Sequence, residues 1–155
     1  MPQVTKGGKF IFGWSRVREN GRIFLPEQAI REYDIACEGR VILFTGSKST
    51  GGFCVTRKGL WQPSKLGFVL EDSPEILNYT VPPFFWKHIK GRSYCWTNIT
   101  ADGELVLPPE TLSFLRMKIG DRLLSIRSSD IAFTMGHHGQ LVERASAFEG
   151  EIHEY

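Results

Sequence analysis

Residues 15–27 read SRVRENGRIFLPE and residues 97–109 read TNITADGELVLPP. Superimposed at an offset of 82, Trp14 meets Trp96, Val17 meets Ile99, Gly21 meets Gly103, Ile23 meets Leu105 and Leu25-Pro26 meets Leu107-Pro108. The same offset runs on without a gap through Ile35 with Met117, Arg40 with Arg122, and Val41-Ile42 with Leu123-Leu124. After a loop two residues shorter in the second stretch, Phe53 meets Phe133 and Gly59 meets Gly139. Each identity alone is cheap. Their fixed spacing reads as one small unit present twice.

Each copy has the same expected structure. Residues 10–17 and 94–99 form a first strand. Asn20-Gly21 and Asp102-Gly103 then turn the chain, because both residue types tolerate positive φ. Residues 22–25 and 104–107 make a short second strand. The proline that follows has no amide donor, stops the ladder and leads into a helix over 27–33 and 109–115, whose early acidic residues suit the helix dipole. Gly39 and Gly120 end the connection. A third strand (40–45, 122–126) and a fourth (53–56, 132–135) complete the unit. Such a piece, roughly 45 residues long, rarely buries enough apolar surface to fold alone. The expectation is one pseudo-twofold β-barrel built from two tandem β-β-α-β-β repeats, mostly β with short helices.

On this reading residues 1–60 are the first repeat, 61–92 a connecting segment, 93–142 the second repeat and 143–155 an acidic tail. The connecting segment is rich in apolar residues such as Leu66, Phe68, Leu70, Ile76 and Trp86 and is expected to pack on the barrel, with short helices starting at Ser73-Pro74 and Pro82-Pro83.

Composition narrows the class. No run approaches the roughly 18 apolar residues of a membrane span, and the N-terminal stretch lacks the pattern of a signal peptide. Cys37, Cys54 and Cys95 are odd in number and widely spaced, which suits a reducing compartment. A cytoplasmic protein is expected. No phosphate-cradling glycine loop, metal-ligand spacing or nucleophile elbow is present, so neither enzyme activity nor a cofactor is expected. His137-His138 lacks further spaced ligands and reads as an exposed turn. Cys54 lies near Arg57 and Lys58, but its alternating context reads as buried.

The string GRIFLPEQAIREYDI with Gly39 after it, and DGELVLPPETLSFLRMKIGDRLLSI in the second copy, resemble the AbrB/MazE/SpoVT superfamily of swapped-hairpin (double-psi-like) DNA-binding domains. The shared elements are a turn glycine, a hydrophobic-x-hydrophobic-Pro run, a short helix and a Gly-Asp step. The tandem arrangement is distantly similar to the MraZ regulators, although their long trailing helices and Asp-x-x-x-Arg pattern are not evident. The resemblance implies a transcriptional regulator that contacts double-stranded DNA through basic residues of the first hairpin and short helix. In the first copy these are Arg16, Arg18, Arg22 and Arg31, with Lys6 and Lys9 ahead of the first strand. Ser15 and Ile30 stand where the AbrB type has arginine, and Arg18 where many members have an acidic residue.

Charge separates the copies. Residues 1–92 hold 14 Lys and Arg against 8 Asp and Glu, whereas residues 93–155 hold 5 against 9. Arg16, Arg18, Arg22 and Arg31 become Asn98, Thr100, Glu104 and Ser113 in the second copy. Cations supply most nonspecific DNA affinity and a carboxylate repels phosphate, so the first copy is the expected DNA-binding half. A protein-interaction or antitoxin-like module without DNA binding is the alternative, its acidic tail meeting a basic partner. Homo-oligomerisation is expected, because several copies bring avidity. Arg40 and Arg122, shared by both copies, are expected to form structural ion pairs with Glu38 or Asp121. Trp14 and Trp96 are expected in the core or at the barrel mouth rather than as ligand-stacking residues.

Overall fold

The computed structural model describes residues 9–155; Lys6 lies outside them. The fold is mostly antiparallel β with short helices. The first copy supplies β1 (Ile11–Arg16), β2 (Arg22–Phe24), α1 (Glu27–Tyr33), β3 (Arg40–Thr45) and β4 (Phe53–Thr56). Two short helices follow, α2 (Lys58–Trp61) and α3 (Pro74–Leu77), and then strand β5 (Lys87–Ile89). The second copy supplies β6 (Arg92–Asn98), β7 (Glu104–Val106), α4 (Pro109–Phe114), β8 (Arg122–Arg127) and β9 (Phe133–Gly136), and α5 (Gln140–Ala147) comes last.

The turn chemistry acts as its residues dictate. Asn20 and Gly21 take φ of 63° and 77°, and Gly103 takes 80°. A side chain at Gly21 would place its Cβ 1.9 Å from the Leu107 carbonyl oxygen, so both the backbone conformation and the close approach require glycine. The turn does not close a β1–β2 ladder: β2 pairs with β7, in register Arg22↔Val106, Ile23↔Leu105, Phe24↔Glu104.

Seven strands form one sheet in the order β1-β8-β9-β4-β3-β6-β5. Exchanging each strand of one copy for its counterpart in the other reverses the first six and leaves the order unchanged. The register obeys the same exchange: Trp14 faces Leu124 in the β1–β8 pair, and Trp96 faces Ile42 in the β6–β3 pair. Backbone bonds outside the strands follow it too. Val17 donates to Asp121 O as Ile99 donates to Gly39 O, and Leu25 donates to Gly103 O as Leu107 donates to Gly21 O. Neither copy keeps its first strand beside its own third strand.

Buried side chains of both copies form a single central cluster, including Phe12, Ile23, Leu25 and Ile35 from the first and Leu105, Leu107, Met117 and Phe133 from the second. Burial of this apolar area is the main stabilising contribution, and it is available only when the copies pack together.

The segments after each copy cover the outer faces. Trp61, Leu70, Ile76 and Leu77 pack on Ile42, Phe44, Tyr94 and Trp96 of β3 and β6. Leu141, Val142, Ala145 and Ile152 pack on Trp14, Leu124 and Ile126 of β1 and β8. The acidic tail therefore begins inside a helix that caps the sheet, so the expected boundary at residue 143 cuts through α5. Beyond it, Trp14 N donates to His153 O at 2.8 Å and Tyr155 N to Trp14 O at 2.7 Å, which extends the β1 edge. Gly13 allows this approach, since a Cβ there would lie 2.8 Å from His153 O.

Other expectations are corrected. Pro82-Pro83 starts no helix, because a residue before proline is steered out of the helical region. Phe84 follows at φ 63° and donates its N–H to Trp96 O, tying the segment to β6. Arg40 and Arg122 do not pair with Glu38 or Asp121. Arg122 stacks 4.1 Å from the Trp14 ring centroid, and Arg40 lies 4.6 Å from Tyr79 and 6.0 Å from Trp96. Glu38 instead binds Arg57 at 2.9 Å, and Asp121 binds His137 Nε2 at 2.9 Å, so His137 is half-buried and engaged rather than a free turn residue. Trp14 and Trp96 are buried. Among the described residues, no helix is long and apolar enough to cross a membrane.

Candidate nucleic-acid interface

The four arginines of the first copy lie around the turn between β1 and β2 and on α1. Arg16 ends β1 and is held on two sides. Its Nε and Nη2 donate to the Glu154 carboxylate at 3.0 and 3.1 Å, and its Nη1 donates to Gly120 O at 3.0 Å. Arg122 Nη1 lies 3.7 Å from the same carboxylate. The hydrogen bond from Arg16 holds Glu154 below the usual carboxylate range, and the same bond raises Arg16.

Arg22 leads β2 and donates from Nε and Nη2 to Glu104 Oε2 at 2.9 and 2.7 Å. The register explains the pair. Ile23 faces Leu105, so Arg22 and Glu104 stand diagonally on the same side of the β2–β7 ribbon, within reach of two long side chains. Counterparts in the two copies therefore meet across the ribbon. The sequence comparison treats Glu104 as part of a separate, acidic half; in the fold it sits beside Arg22.

Arg18 and Arg22 flank the Phe24 ring at 5.8 and 5.6 Å. Among the described residues Arg18 makes no ion pair. Arg31 meets Glu27 one helical turn earlier at 3.4 Å, with both side chains about 70% exposed (71% and 70%). Arg18, Phe24, Ile30, Arg31, Glu27 and Asp102 line one shallow groove of about 530 Å³. Arg18 and Arg31 thus share one groove and Arg22 joins Arg18 at the Phe24 ring, while Arg16 is held apart by Glu154 and Gly120.

Lys9 is not among them. It precedes β1, whereas Arg16 ends that strand, so the two are separated by roughly 20 Å of extended chain. Lys9 lines a different cavity together with Lys90 and Arg92. Sequence reasoning missed both cations, because Lys90-Gly91-Arg92 falls in the stretch read as a packing segment. It also missed Glu154 as a partner of Arg16, for which no local signal exists.

Burial raises both the Cys54 and the Cys95 thiol. Neither is a ready nucleophile. Among the described residues, no group of three or more His, Cys, Asp or Glu side chains could hold a metal.

In comparisons with known proteins, no family model matches the chain and no curated protein is significantly similar to it.

Proposed function

We propose that the chain is a cytoplasmic DNA-binding regulator of the AbrB type, a pseudo-twofold swapped-hairpin barrel whose first hairpin and short helix contact duplex DNA. The observation that carries this reading is that Arg18 and Arg31 line one groove and Arg22 meets Arg18 at Phe24, on the β2–β7 ribbon that joins the two copies. Reciprocal pairing of β1 with β8 and β6 with β3 supports the swapped arrangement.

The ion pairs grade the arginines. Exposed pairs are worth about 0–1 kcal/mol, so a phosphate replaces Glu27 on Arg31 at little cost. Arg18 is available as it stands. Arg22 must exchange a two-donor contact with Glu104. Arg16, tied to Glu154 and to Gly120 O, positions the strand end rather than serving as a free phosphate ligand.

Fluorescence anisotropy with a labelled duplex over a salt series tests this. Arg18→Ala with Arg31→Ala should lower the slope of log K against log salt by about two, and Glu104→Gln should tighten binding by freeing Arg22. Absence of binding at low salt, or an unchanged slope in the double variant, sinks the reading.

The second reading is a barrel of the same type that binds protein rather than DNA. It is favoured by the carboxylates of Glu154, Glu104 and Glu27, which already occupy three of the four arginines. Self-association belongs to both readings. Sedimentation yielding only a 17.6 kDa species at high concentration would remove it.

A further inference from the structure

A cavity of about 610 Å³ shares no lining residue with the groove of Arg18 and Arg31. It falls within the ordinary size of a small-molecule site. Its floor lies at the seam of the two copies, where Cys54 faces Thr134 in the β4–β9 register. Three cations reach it: Lys9, Lys90 and Arg92. Among the described residues none of them forms an ion pair, and no carboxylate lines the cavity. Every arginine proposed for DNA contact except Arg18 has a carboxylate neighbour, so this is the strongest uncompensated positive site described.

The chain builds the site from distant parts. Lys90 and Gly91, at φ of 49° and 86°, make the tight turn joining β5 to β6, which puts Lys90 and Arg92 on one rim. The positive φ at Lys90 is unusual for a side chain other than Asn, Asp or Gly. Arg92 is oriented by donation to Thr45 O at 3.2 Å and by the Phe44 ring 5.5 Å away. Hydroxyls stand on both sides: Ser47, Ser49 and Thr50 from the β3–β4 loop, and Ser128, Ser129 and Thr134 from the β8–β9 hairpin. Ser47 Oγ is 2.8 Å from Ser49 Oγ and 3.2 Å from Thr50 Oγ1, a cluster whose rotors can turn to donate to an anion. Phe44, Trp61 and Tyr94, all buried and packed on one another, back the cavity.

We propose that this cavity is a binding site for a nucleoside phosphate. A single carboxylate would neutralise one of three cations, whereas a di- or trianionic phosphate group matches them together. Phosphate oxygens accept from Lys, Arg and Ser/Thr hydroxyls, and the apolar lining of Leu66, Val69 and Ile131 receives a planar base. Sugar hydroxyls and base edges find partners in the two hydroxyl rims.

Isothermal titration calorimetry of the full chain with ADP, GDP and UDP tests the assignment, with inorganic pyrophosphate and salicylate as comparison ligands. At least one nucleotide should bind at micromolar Kd, more tightly than pyrophosphate. Lys90→Gln and Arg92→Gln should each weaken it by about tenfold, and Arg18→Gln should leave it unchanged. Ser49→Asp, which places a carboxylate on the exposed rim without touching the Arg92–Thr45 contact, should abolish binding; thermal melting checks that each variant folds. Four results overturn the proposal. They are no nucleotide binding at about 1 mM, pyrophosphate binding as tightly as every nucleotide, binding of salicylate alone, and affinity unchanged in both Lys90→Gln and Ser49→Asp. None bears on the DNA contact, whose test uses residues at the other end of β1.

Discussion

Ile23 and Leu105 face each other at the centre of the β2–β7 ribbon, and both are fully buried in the cluster shared by the two copies. Truncating either to alanine removes apolar contacts from both copies at once. Large-to-small changes of this type cost about 2–5 kcal/mol. A loss of about 3 kcal/mol is a large share of a domain's total stability of about 5–15 kcal/mol. At about 2–4 °C per kcal/mol for a chain of this size, each single variant should melt roughly 6–12 °C lower. Because the residues touch the same space, the double variant should depart from additivity by about 0.5–3 kcal/mol. The assay is thermal and urea unfolding followed by far-UV circular dichroism and tryptophan fluorescence on the wild type, both single variants and the double variant. One cooperative transition with a non-zero coupling energy is expected. Two separate transitions in the wild type, or strict additivity, would refute the argument that the copies fold as one body around a common core.

Other outcomes follow from single features. Gly21→Ala must adopt φ near 77° and place a Cβ 1.9 Å from Leu107 O, so it should cost about 2 kcal/mol or more. Gly91→Ala, with φ 86° but no atom within 4 Å of the added Cβ, should cost only the roughly 1–2 kcal/mol of left-handed backbone; similar losses in urea unfolding would contradict the steric argument. Glu154 has a folded pKa below its unfolded value because Arg16 donates to it, so its contribution to stability is complete above the ordinary carboxylate range. That contribution is lost as the pH falls through the depressed value, and melting curves of wild type and Glu154→Gln should converge in acid and separate toward neutral pH. Among the three cysteines, Cys37 is exposed while Cys54 and Cys95 are buried with raised thiol pKa values. A thiol-reactive chromophore should therefore titrate one group in the native protein and the other two only on unfolding; fast native reaction of a second thiol would contradict the burial.

Individual elements were legible in the sequence because their causes are local. Asn20-Gly21 turns where its dihedral tolerance allows, Pro26 and Pro108 precede helices, and strand bounds match to within about two residues, the usual latitude of boundary assignment. The constant offset of 82 also foreshadowed that Trp14 and Trp96 would be equivalent, and they are buried in equivalent registers. The expectation for Arg40 and Arg122 failed for a nonlocal reason. Arg122 stacks on Trp14 of the other copy, brought to it by the β1–β8 pairing, and Arg40 lies against Tyr79 of the connecting segment and, farther off, Trp96 of the other copy.

From sequence alone, then, come the repeated unit, its turns, its helices and the excess of cations in the first copy. Each is written within windows of a few residues by backbone preference, alternation and charge. Tertiary structure decided the rest. The β2–β7 register set Glu104 on Arg22, the docking of residues 153–155 along β1 set Glu154 on Arg16, and loops up to about 120 residues apart in the chain joined Lys9, Lys90, Arg92 and Ser128 around one cavity. An ion pair or a pocket depends on a distance of a few ångströms between side chains. Across strands 80 or more residues apart, that distance is set by which edges pair and in what register, and no local stretch of the chain encodes it.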